Sequence, residues 1–411
     1  MRTLRCIFVA LLASVWSVAC AGIARAQALP AGPIEFADGT VRVSGDVSLA
    51  IGSKDETAFF NYTDYEHNAL RMFRISLAGS WRPTDRVAVL TEFRTEDLQQ
   101  LRTYALYVRV RPWKSVPLDI QAGRIPPVFG VFGRRSYGAD NPLIGYPLAY
   151  QYLTSLRPDS IPSTADDLLL MRARGWQSSF PVGSQVPSTG VPMVTAYRWD
   201  TGVEGHLDTT KFEAAGAVTA GTLSNPRVGD DNDGLQYSGR VAWKPVIGLV
   251  IGASGASGEW LNGSLKNSLG TLAPGHYRQQ TIGFDAEYSR DYWIVRSEFV
   301  KTQWTIPRLG DPPIDAPLEA TSAFVEGRYR ITPRYFVAGR LDGLTFSKIK
   351  GERLFGGQPQ TWDAPVTRLE AGAGIYVQRN LTLRAVVQYN TRDGGRVHQR
   401  TFLSGEIAYW F

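Results

Sequence analysis

The sequence predicts an all-β protein, a transmembrane antiparallel β-barrel of about sixteen strands. Three observations lead to this prediction. Segments of about ten residues alternate apolar and polar side chains, which is the period of a strand with two different faces. Short turns and longer polar connections follow one another along the chain, and aromatic residues gather beside the short turns. This combination is typical of barrels that cross a membrane.

The first 26 residues have the features of a secretory signal peptide. Arg2 and Arg5 precede an apolar run, and Ala24-Arg25-Ala26 ends it with small residues of the kind found at cleavage sites. A transmembrane anchor is the alternative interpretation, but the run is short and ends in this cleavage pattern. We therefore predict a signal peptide over residues 1–26 and an outer-membrane barrel over residues 27–411.

Charge and cysteine content narrow the possible functions. Loss of the signal lowers the formal net charge from +6 to +3, so the sequence gives little support to a nucleic-acid partner. Both cysteines, Cys6 and Cys20, lie in the signal, which leaves no disulfide or thiolate metal site in the mature chain. Ser17 also replaces the leucine-like residue that a lipoprotein signal would need before Cys20. The histidines show no ligand spacing, so we expect no metal site and no cofactor.

Alternation of side chains defines sixteen strand segments. In the clearest case Val41, Val43 and Val47 face one side of the strand, while Arg42 and Asp46 face the other. The predicted spans are 40–52, 69–82, 86–96, 101–113, 117–124, 198–208, 211–221, 235–245, 247–258, 277–289, 292–304, 320–331, 334–346, 365–377, 381–391 and 399–411. An even number of strands returns both termini to the same rim of a barrel.

Seven connections between these segments are very short. They are Pro83-Thr84-Asp85, Lys114-Ser115-Val116, Asp208-Thr209-Thr210, Pro245-Val246, Ser289-Arg290-Asp291, Thr332-Pro333-Arg334 and Gln378-Arg379-Asn380. The intervening connections are mostly longer and polar. Short turns on one rim and long loops on the other predict a barrel in the outer membrane of a Gram-negative type of cell, reached after secretion to the periplasm. The short turns and both termini then face the periplasm.

Aromatic residues recur within a few positions of the short turns and at the C-terminus. Chance placement at strand ends is the alternative, since aromatic residues are common in strands. The regular recurrence favours an interfacial girdle in contact with outer-membrane lipid. We assign to this girdle Trp81, Trp113, Trp243, Trp293, Tyr409 and Phe411.

The face opposite the apolar one is dense in charge. Its arginines include Arg42, Arg74, Arg82, Arg94, Arg109, Arg111, Arg240, Arg296, Arg328, Arg330, Arg340, Arg368, Arg384 and Arg400. Its acids include Asp46, Glu92, Asp119, Glu204, Asp285, Glu287, Glu298, Glu326, Asp342, Glu370 and Glu406. Because so many charges are costly in a dry core, we expect a water-filled lumen. Each pair could brace the wall as a salt bridge, or contribute to a field that sorts solutes.

The longest connection, roughly 125–197, is rich in glycine, proline and aromatic residues. It is too apolar for a solvated tail and has no strand or long-helix pattern, so it must pack on another surface. We expect this long third loop to fold into the lumen and narrow it. A cap lying across the extracellular mouth is the alternative.

Two motifs carry a resemblance to a known family. QAGRIPPVFG (121–130) is similar to the passage into the long third loop of the sixteen-stranded phosphate-selective porins O and P. YRWDTGVEG (197–205) is similar to the strand that follows that loop. The resemblance implies a passive channel, a homotrimer and a constriction made by the third loop. It also implies that the C-terminal strand, ending in Phe411, is recognised by the barrel-assembly machinery.

The chain departs from the phosphate-selective pattern because it has no lysine between Lys114 and Lys211. The arginines of the long loop are also mixed with acids. This composition favours a general or weakly anion-selective channel. We predict that selectivity arises at the constriction from Arg124, Arg134, Arg135, Arg109, Arg111, Arg328, Arg340 and Arg384.

The sequence therefore predicts a passive outer-membrane porin for small hydrophilic solutes or anions. A structural or adhesive barrel is one alternative, and a barrel enzyme is another. An enzyme would need a nucleophile beside a basic or acidic partner, and the sequence shows neither a nucleophile elbow nor a local Ser/His pair. We accordingly predict no catalytic residues.

Overall fold

The computed structural model describes residues 30–411, apart from residues 64, 233, 271–274, 312 and 315–316 and the side chain of Arg134. Within the described residues, the chain forms one closed barrel of sixteen antiparallel strands. Each strand pairs with its neighbours along the chain, and the last strand pairs with the first. The predicted barrel is thus confirmed, while the predicted signal peptide, residues 1–26, lies outside the described residues.

We number the barrel strands in chain order. They are β1 (Val41–Gly52), β2 (Phe73–Thr84), β3 (Val87–Glu96), β4 (Arg102–Val110), β5 (Leu118–Ile125), β6 (Asp200–Asp208), β7 (Phe212–Thr219), β8 (Gln236–Trp243), β9 (Leu249–Glu259), β10 (Arg278–Arg290), β11 (Trp293–Trp304), β12 (Leu318–Arg330), β13 (Tyr335–Phe346), β14 (Val366–Gln378), β15 (Leu381–Arg392) and β16 (Thr401–Trp410). All sixteen coincide with a predicted span to within a few residues. Arg111 differs from the prediction, because β4 ends one residue before it.

The alternation of side chains explains why these segments form a wall with two different faces. In β15, Leu383 and Val387 are 41% and 42% exposed, whereas Arg384 and Gln388 are 6% and 0% exposed. Successive side chains of a strand point to opposite sides, so the apolar set forms the outer face and the polar set the inner face. A slip of one residue would exchange the two sets, and the pattern therefore fixes the register.

The first and last strands close the barrel, and the N-terminal end of the chain completes the seam. β16 pairs with residues 46–52 of β1. Gly45 and Phe411 continue the ladder through two backbone hydrogen bonds of 3.1 and 2.9 Å. A short strand, Ile34–Phe36, which the sequence did not predict, pairs with residues 41–43 beyond the C-terminus. The edge of β1 thus pairs with β16 along one part of its length and with the short strand along the other, as a barrel without free edges requires.

Aromatic side chains stand at the rim that carries the short turns. Trp81, Trp243 and Trp293 are each about half exposed beside a short turn, and Trp113 is equally exposed between β4 and β5. The rings of Tyr409 and Phe411 stack with 5.9 Å between their centroids. Their positions match those expected of a girdle, and their contact with lipid stays a prediction.

Few other regular elements occur among the described residues. Short helices span Leu148–Gln151, Ala165–Leu170 and Gly263–Leu269, and 3-10 turns span Phe132–Arg135 and Leu354–Gly357. Ser160–Ile161 pairs with Val182–Gly183, and Lys348–Ile349 pairs with Gln360–Thr361. No helix within the described part of the chain is both long enough and apolar enough to cross a membrane.

Candidate functional site

The connection between β5 and β6, residues 126–199, contacts side chains of the inner face; we call it the long segment. Near its start, the ring of Phe129 lies against Gly283 of β10, where a β-carbon would come within 2.7 Å of the ring. The amide of Gly130 donates to Ser254 of β9 at 3.0 Å. The segment thus reaches β9 and β10 only a few residues after leaving β5.

Acids of β11, β13 and β14 accept hydrogen bonds from the long segment. The Tyr150 hydroxyl donates to Glu298 at 2.5 Å. The amide of Leu148 donates to Asp342 at 2.5 Å, and the amide of Gly145 donates to Glu370 at 2.9 Å. Hydrogen bonds to charged groups contribute more than those between neutral groups. These bonds therefore hold the middle of the segment against the wall.

Arginines of the inner face donate to main-chain oxygens of the same segment. Both terminal nitrogens of Arg340 reach the carbonyl of Gly145, at 3.0 and 2.9 Å. Arg368 donates to the carbonyl of Tyr146 at 2.9 Å. Arg384 donates to the carbonyl of Gly138 at 2.7 Å. The wall and the segment thus satisfy each other's polar groups.

A ladder of alternating charge runs around the inner face, because strand register places each member directly opposite the next. Its members in order are Glu287, Arg296, Glu326, Arg340 and Glu370. Arg296 bonds Glu287 at 2.9 Å, and Arg340 bonds Glu326 at 3.2 Å. Opposite charges on facing positions stabilise adjacent strands. The ladder therefore braces the wall on which the long segment rests.

Much of this charge is buried, which corrects the expectation of water around it. Arg340, Arg368 and Glu370 are each 1% exposed or less. Charge is costly in a dry interior, but ion pairs between these residues and main-chain partners from the long segment offset that cost. A void of about 20 Å³ beside Arg74 and Arg384 has room for about one water molecule.

Apolar packing also joins the long segment to the wall. One cluster of buried hydrophobic residues includes Phe132, Tyr150 and Leu156 of the segment together with Trp304 and Trp362 from outside it. Burial of aromatic and aliphatic side chains stabilises a contact roughly in proportion to the area removed from water. The segment is thus held by an apolar core as well as by hydrogen bonds.

Two buried charged groups fix the part of the segment nearest the long-loop rim. Asp363, between β13 and β14, accepts hydrogen bonds from the amides of Ser155 at 2.7 Å and Ala173 at 2.8 Å. Burial raises the pKa of the Asp363 carboxyl, against the effect of these amides. Arg157 donates to carbonyl oxygens of Thr154, Ser155 and Leu156. Burial lowers the pKa of its guanidinium to about 10.

The eight arginines predicted for the constriction have different surroundings. Arg340 and Arg384 are buried against the long segment, as described above. Arg135, on the segment, forms an ion pair with Glu287. Arg111 bonds Asp119 at 2.8 and 3.0 Å. The structure thus assigns these four a partner each, which the sequence could not provide.

Two of the eight form no ion pair within the described residues. In the part of the chain that the structure describes, neither Arg109 nor Arg328 forms an ion pair with a carboxylate; Arg328 donates to the Tyr376 hydroxyl at 3.4 Å. Burial raises the pKa of the Asp140 carboxyl in the long segment, and the nearby Arg135, Arg296 and Arg328 oppose this effect. The action of Arg109 and Arg328 on a passing ion stays a prediction.

Arg124 differs from its predicted position. The register pairs it with Leu106 and Thr201, which belong to the outer set of their strands. The register runs unbroken through Gly123, so Arg124 shares the outer side of β5 with Ile120 and Ala122. Arg124 instead donates to the carbonyl of Trp199 at 3.1 Å. The side chain of Arg134 lies outside the described residues, and its predicted role stays a prediction.

Sequence reasoning missed a pocket at the rim with the long connections. It is lined by Phe59, Trp176, Arg174 and Arg396, among others, and has a volume of about 550 Å³. The run Arg172-Ala173-Arg174-Gly175-Trp176 joins cations to an aromatic residue and was the available signal. Its partners come from other connections, so the sequence alone did not bring them together. No group of three or more potential metal-ligating residues is present among the described residues.

No protein-family profile and no curated protein sequence matches the chain. Solved structures do match it. An anion-selective porin from Comamonas acidovorans has a TM-score of 0.55 and 11% identity, over 90% of this chain and 99% of that chain. The outer membrane channel DcaP of Acinetobacter baumannii has a TM-score of 0.54 and 10% identity, over 92% and 99%. OmpT, an outer membrane protein of Vibrio cholerae, has a TM-score of 0.54 and 9% identity, over 93% and 100%. At these identities the likeness shows a shared fold.

Proposed function

We propose that this protein is a passive channel in the outer membrane of a Gram-negative type of cell, for small hydrophilic solutes with a preference for anions. One observation carries the proposal: the closed sixteen-stranded barrel has an apolar outer face and a charged inner face. A closed barrel satisfies every backbone group within lipid. Barrels of this size are wide enough to enclose a passage. The anion-selective porin and the DcaP channel share the fold, which supports the same class of function.

The long segment is the element that would restrict this passage. Its hydrogen bonds to Glu298, Asp342 and Glu370 join it to inner-face residues of three different strands. We infer that it lies within the lumen and leaves only a narrow path. A segment held by so many contacts predicts a small conductance compared with that of a wide, water-filled barrel of the same strand number.

A preference for anions follows from the charges that remain unpaired. Arg109 and Arg328 project from the inner side of β4 and β12, and no ion pair neutralises them within the described residues. Charge near a narrow path acts with little screening, whereas exposed charge is screened beyond about 8 Å at physiological salt. The phosphate-selective porins use lysines in the third loop, and the long segment contains none. We therefore propose a general anion preference without specificity for phosphate.

Reconstitution into planar lipid bilayers tests this function. The expected result is stepwise ionic conductance and a reversal potential, in a potassium chloride gradient, displaced toward the chloride equilibrium potential. The measurement is repeated with phosphate and with small organic ions to rank them. Absence of conductance from folded, heat-modifiable protein would refute a channel. A displacement toward the potassium potential would refute the anion preference.

We also propose that the barrel-assembly machinery recognises the C-terminal strand, β16, and that the folded protein is a homotrimer. Four glycines of β6 to β9 lie side by side in register, and a β-carbon added to any of them would meet no atom within 3.5 Å. They are Gly205, Gly216, Gly239 and Gly255. Such a flat strip lets two barrels approach closely. Mass measurement of the detergent-solubilised protein by light scattering tests the trimer. Gly216→Trp, within the strip, and its matched control Gly327→Trp, on β12, test whether this strip is the trimer interface.

A further inference from the structure

A pocket of about 550 Å³ opens at the rim that carries the long connections; we call it the rim pocket. Three parts of the chain form it: residues 53–72 between β1 and β2, the long segment, and the end of β15 at Arg392 with the connection that follows it. Its volume is within the range of pockets that take small organic ligands. Tyr152 and Leu153 line it and are buried, so a ligand would rest on the long segment itself.

One wall of the rim pocket is aromatic. Trp176 stacks on Phe59, with 4.9 Å between ring centroids and 15° between ring planes. Tyr62 supports this pair from the side, 4.5 Å from Trp176. Phe59 and Trp176 are each partly exposed, so ring surface remains available to a ligand. Aromatic side chains offer a large apolar contact area that loses little conformational entropy on binding.

The charged residues described in the lining of the rim pocket are all arginines. Arg392 is held in place by the carbonyls of Ala58 at 2.8 Å and Gly394 at 3.0 Å. Arg174 and Arg396 are exposed, and in the described part of the chain neither guanidinium has a hydrogen-bond or ion-pair partner. Free guanidinium groups are matched to carboxylates, which they can bind through two parallel hydrogen bonds.

The backbone around the rim pocket is held in an unfavourable conformation. Phe59, Ala173 and Gln177 all line it and have φ values of 52°, 63° and 46°. This left-handed region is uncommon for residues other than glycine and costs free energy. Backbone strain of this kind gathers at ligand sites, where the surrounding structure compensates for it. The strain is a second observation, independent of the side-chain chemistry, that singles out this location.

We infer that the rim pocket binds a small amphipathic organic anion, with an aromatic or alicyclic body and one carboxylate, before it passes through the barrel. The apolar body would stack on Trp176 and Phe59, while the carboxylate would meet Arg174 and Arg396. This inference rests on the proposed channel function and names the class of solute. An inorganic anion would gain nothing from the aromatic wall, so phosphate is expected to bind far more weakly.

Calorimetric titration of the folded, detergent-solubilised protein with 2-naphthoate tests the inference, with empty micelles as the blank. 2-Naphthylmethanol is the neutral analogue, and inorganic phosphate is the anion without an apolar body. We expect saturable binding of 2-naphthoate and at least about tenfold weaker binding of the other two, since a charged hydrogen bond and an apolar contact are each lost.

Three variants and one matched control locate the site. Trp176→Ala and the double variant Arg174→Gln/Arg396→Gln should each weaken binding of 2-naphthoate by about tenfold. The double variant should also abolish the preference over the neutral alcohol. Arg400→Gln is the matched control, because Arg400 is exposed at the same rim and does not line the pocket. Its affinity should stay within about twofold of the original protein. Ser179→Trp, which fills the pocket while keeping every named contact group, should abolish binding.

Equal affinity of all these variants for 2-naphthoate would overturn the inference, as would equal binding of the acid and the alcohol. Conductance of the same preparations separates this result from the proposed function. If the protein conducts ions but does not bind 2-naphthoate, the proposed channel function is supported and the proposed class of solute is refuted. If the protein binds 2-naphthoate but does not conduct ions, the proposed binding site is supported and the proposed channel function is refuted.

Discussion

Arg340 donates a hydrogen bond from each of its two terminal guanidinium nitrogens to the main-chain oxygen of Gly145, at 3.0 and 2.9 Å. The sequence predicted that this side chain faces passing ions, but in the structure it binds the long segment. Arg340 also bonds Glu326 at 3.2 Å and lies 3.8 Å from Glu370. It thus joins the charge ladder of the wall to the segment that we propose restricts the passage.

Arg340→Gln is therefore expected to destabilise the barrel and loosen the long segment. Removing one partner of a buried ion pair leaves the other charge uncompensated, which typically costs about 3–5 kcal/mol. Urea unfolding in detergent micelles, followed by tryptophan fluorescence, measures the stability, and planar-bilayer recording should show a larger or noisier conductance. Arg109→Gln is the control, because Arg109 forms no ion pair within the described residues. If the two variants unfold at the same urea concentration, Arg340 does not have the role assigned to it.

The barrel could be predicted from the sequence because its signal repeats locally. Residues such as Leu383 and Arg384 alternate along every strand, and the alternation follows directly from the geometry of a strand. The site could not be predicted in this way. The partners of Arg340 and Arg384 are main-chain oxygens of Gly145 and Gly138, in a segment without periodicity. Any residue has such an oxygen, so composition carries no trace of the contact.

Two differences remain. Arg124 has the same parity as Ile120 and Ala122, so the alternation of β5 itself places it on the outer face, and its predicted place at the constriction did not follow from that alternation. The rim pocket joins Phe59, Trp176 and Arg396, which lie far apart in the chain. Loop conformation alone brings these three residues together.

Leu341→Arg should destabilise the folded barrel by about 2–4 kcal/mol, because a charged side chain is costly on the outer face near the middle of a membrane. Leu341 is 64% exposed on the outer face, halfway along β13. Thr367→Arg is the matched control: it lies on the outer face of the neighbouring β14, near the long-loop rim, and should cost about 0–1 kcal/mol. Unfolding titrations in lipid vesicles compare the two. Equal costs would show that the outer face of β13 is not in contact with hydrocarbon.

Phe411→Ala is expected to lower the yield of folded protein in the outer membrane, since the ring packs on Gly45 at the seam. A β-carbon on Gly45 would lie 2.6 Å from the Phe411 ring. Gly45→Val should therefore impair folding on its own, and its additional cost should be smaller when Phe411→Ala has already removed the ring. Heat-modifiability on gels measures the folded fraction. Strictly additive effects of the two substitutions would contradict contact between these residues.

Ion selectivity is expected to depend on the predicted cations that form no ion pair within the described residues. Arg109→Gln/Arg328→Gln should lower the ratio of chloride to potassium permeability by about twofold or more, because it removes two charges that form no ion pair with a carboxylate in the described part of the chain. Arg111→Gln is the control, since Asp119 already neutralises Arg111. Reversal potentials in a potassium chloride gradient give the ratio. A shift as large in the control as in the double variant would mean that pairing does not decide which arginines act.

Glu287→Gln should change selectivity in the opposite direction. Glu287 is paired with Arg135 of the long segment and with Arg296 of β11. Replacing its carboxylate by a neutral amide keeps the shape of the side chain but leaves both guanidinium groups with less compensation, so the local potential becomes more positive. We expect the chloride preference to rise by about twofold at low salt and the effect to fade at high salt, where the charges are screened. Arg135→Glu would instead place two carboxylates side by side and favour potassium. If both substitutions leave the reversal potential unchanged, Arg135 and Glu287 hold the segment in place and do not face the ion path.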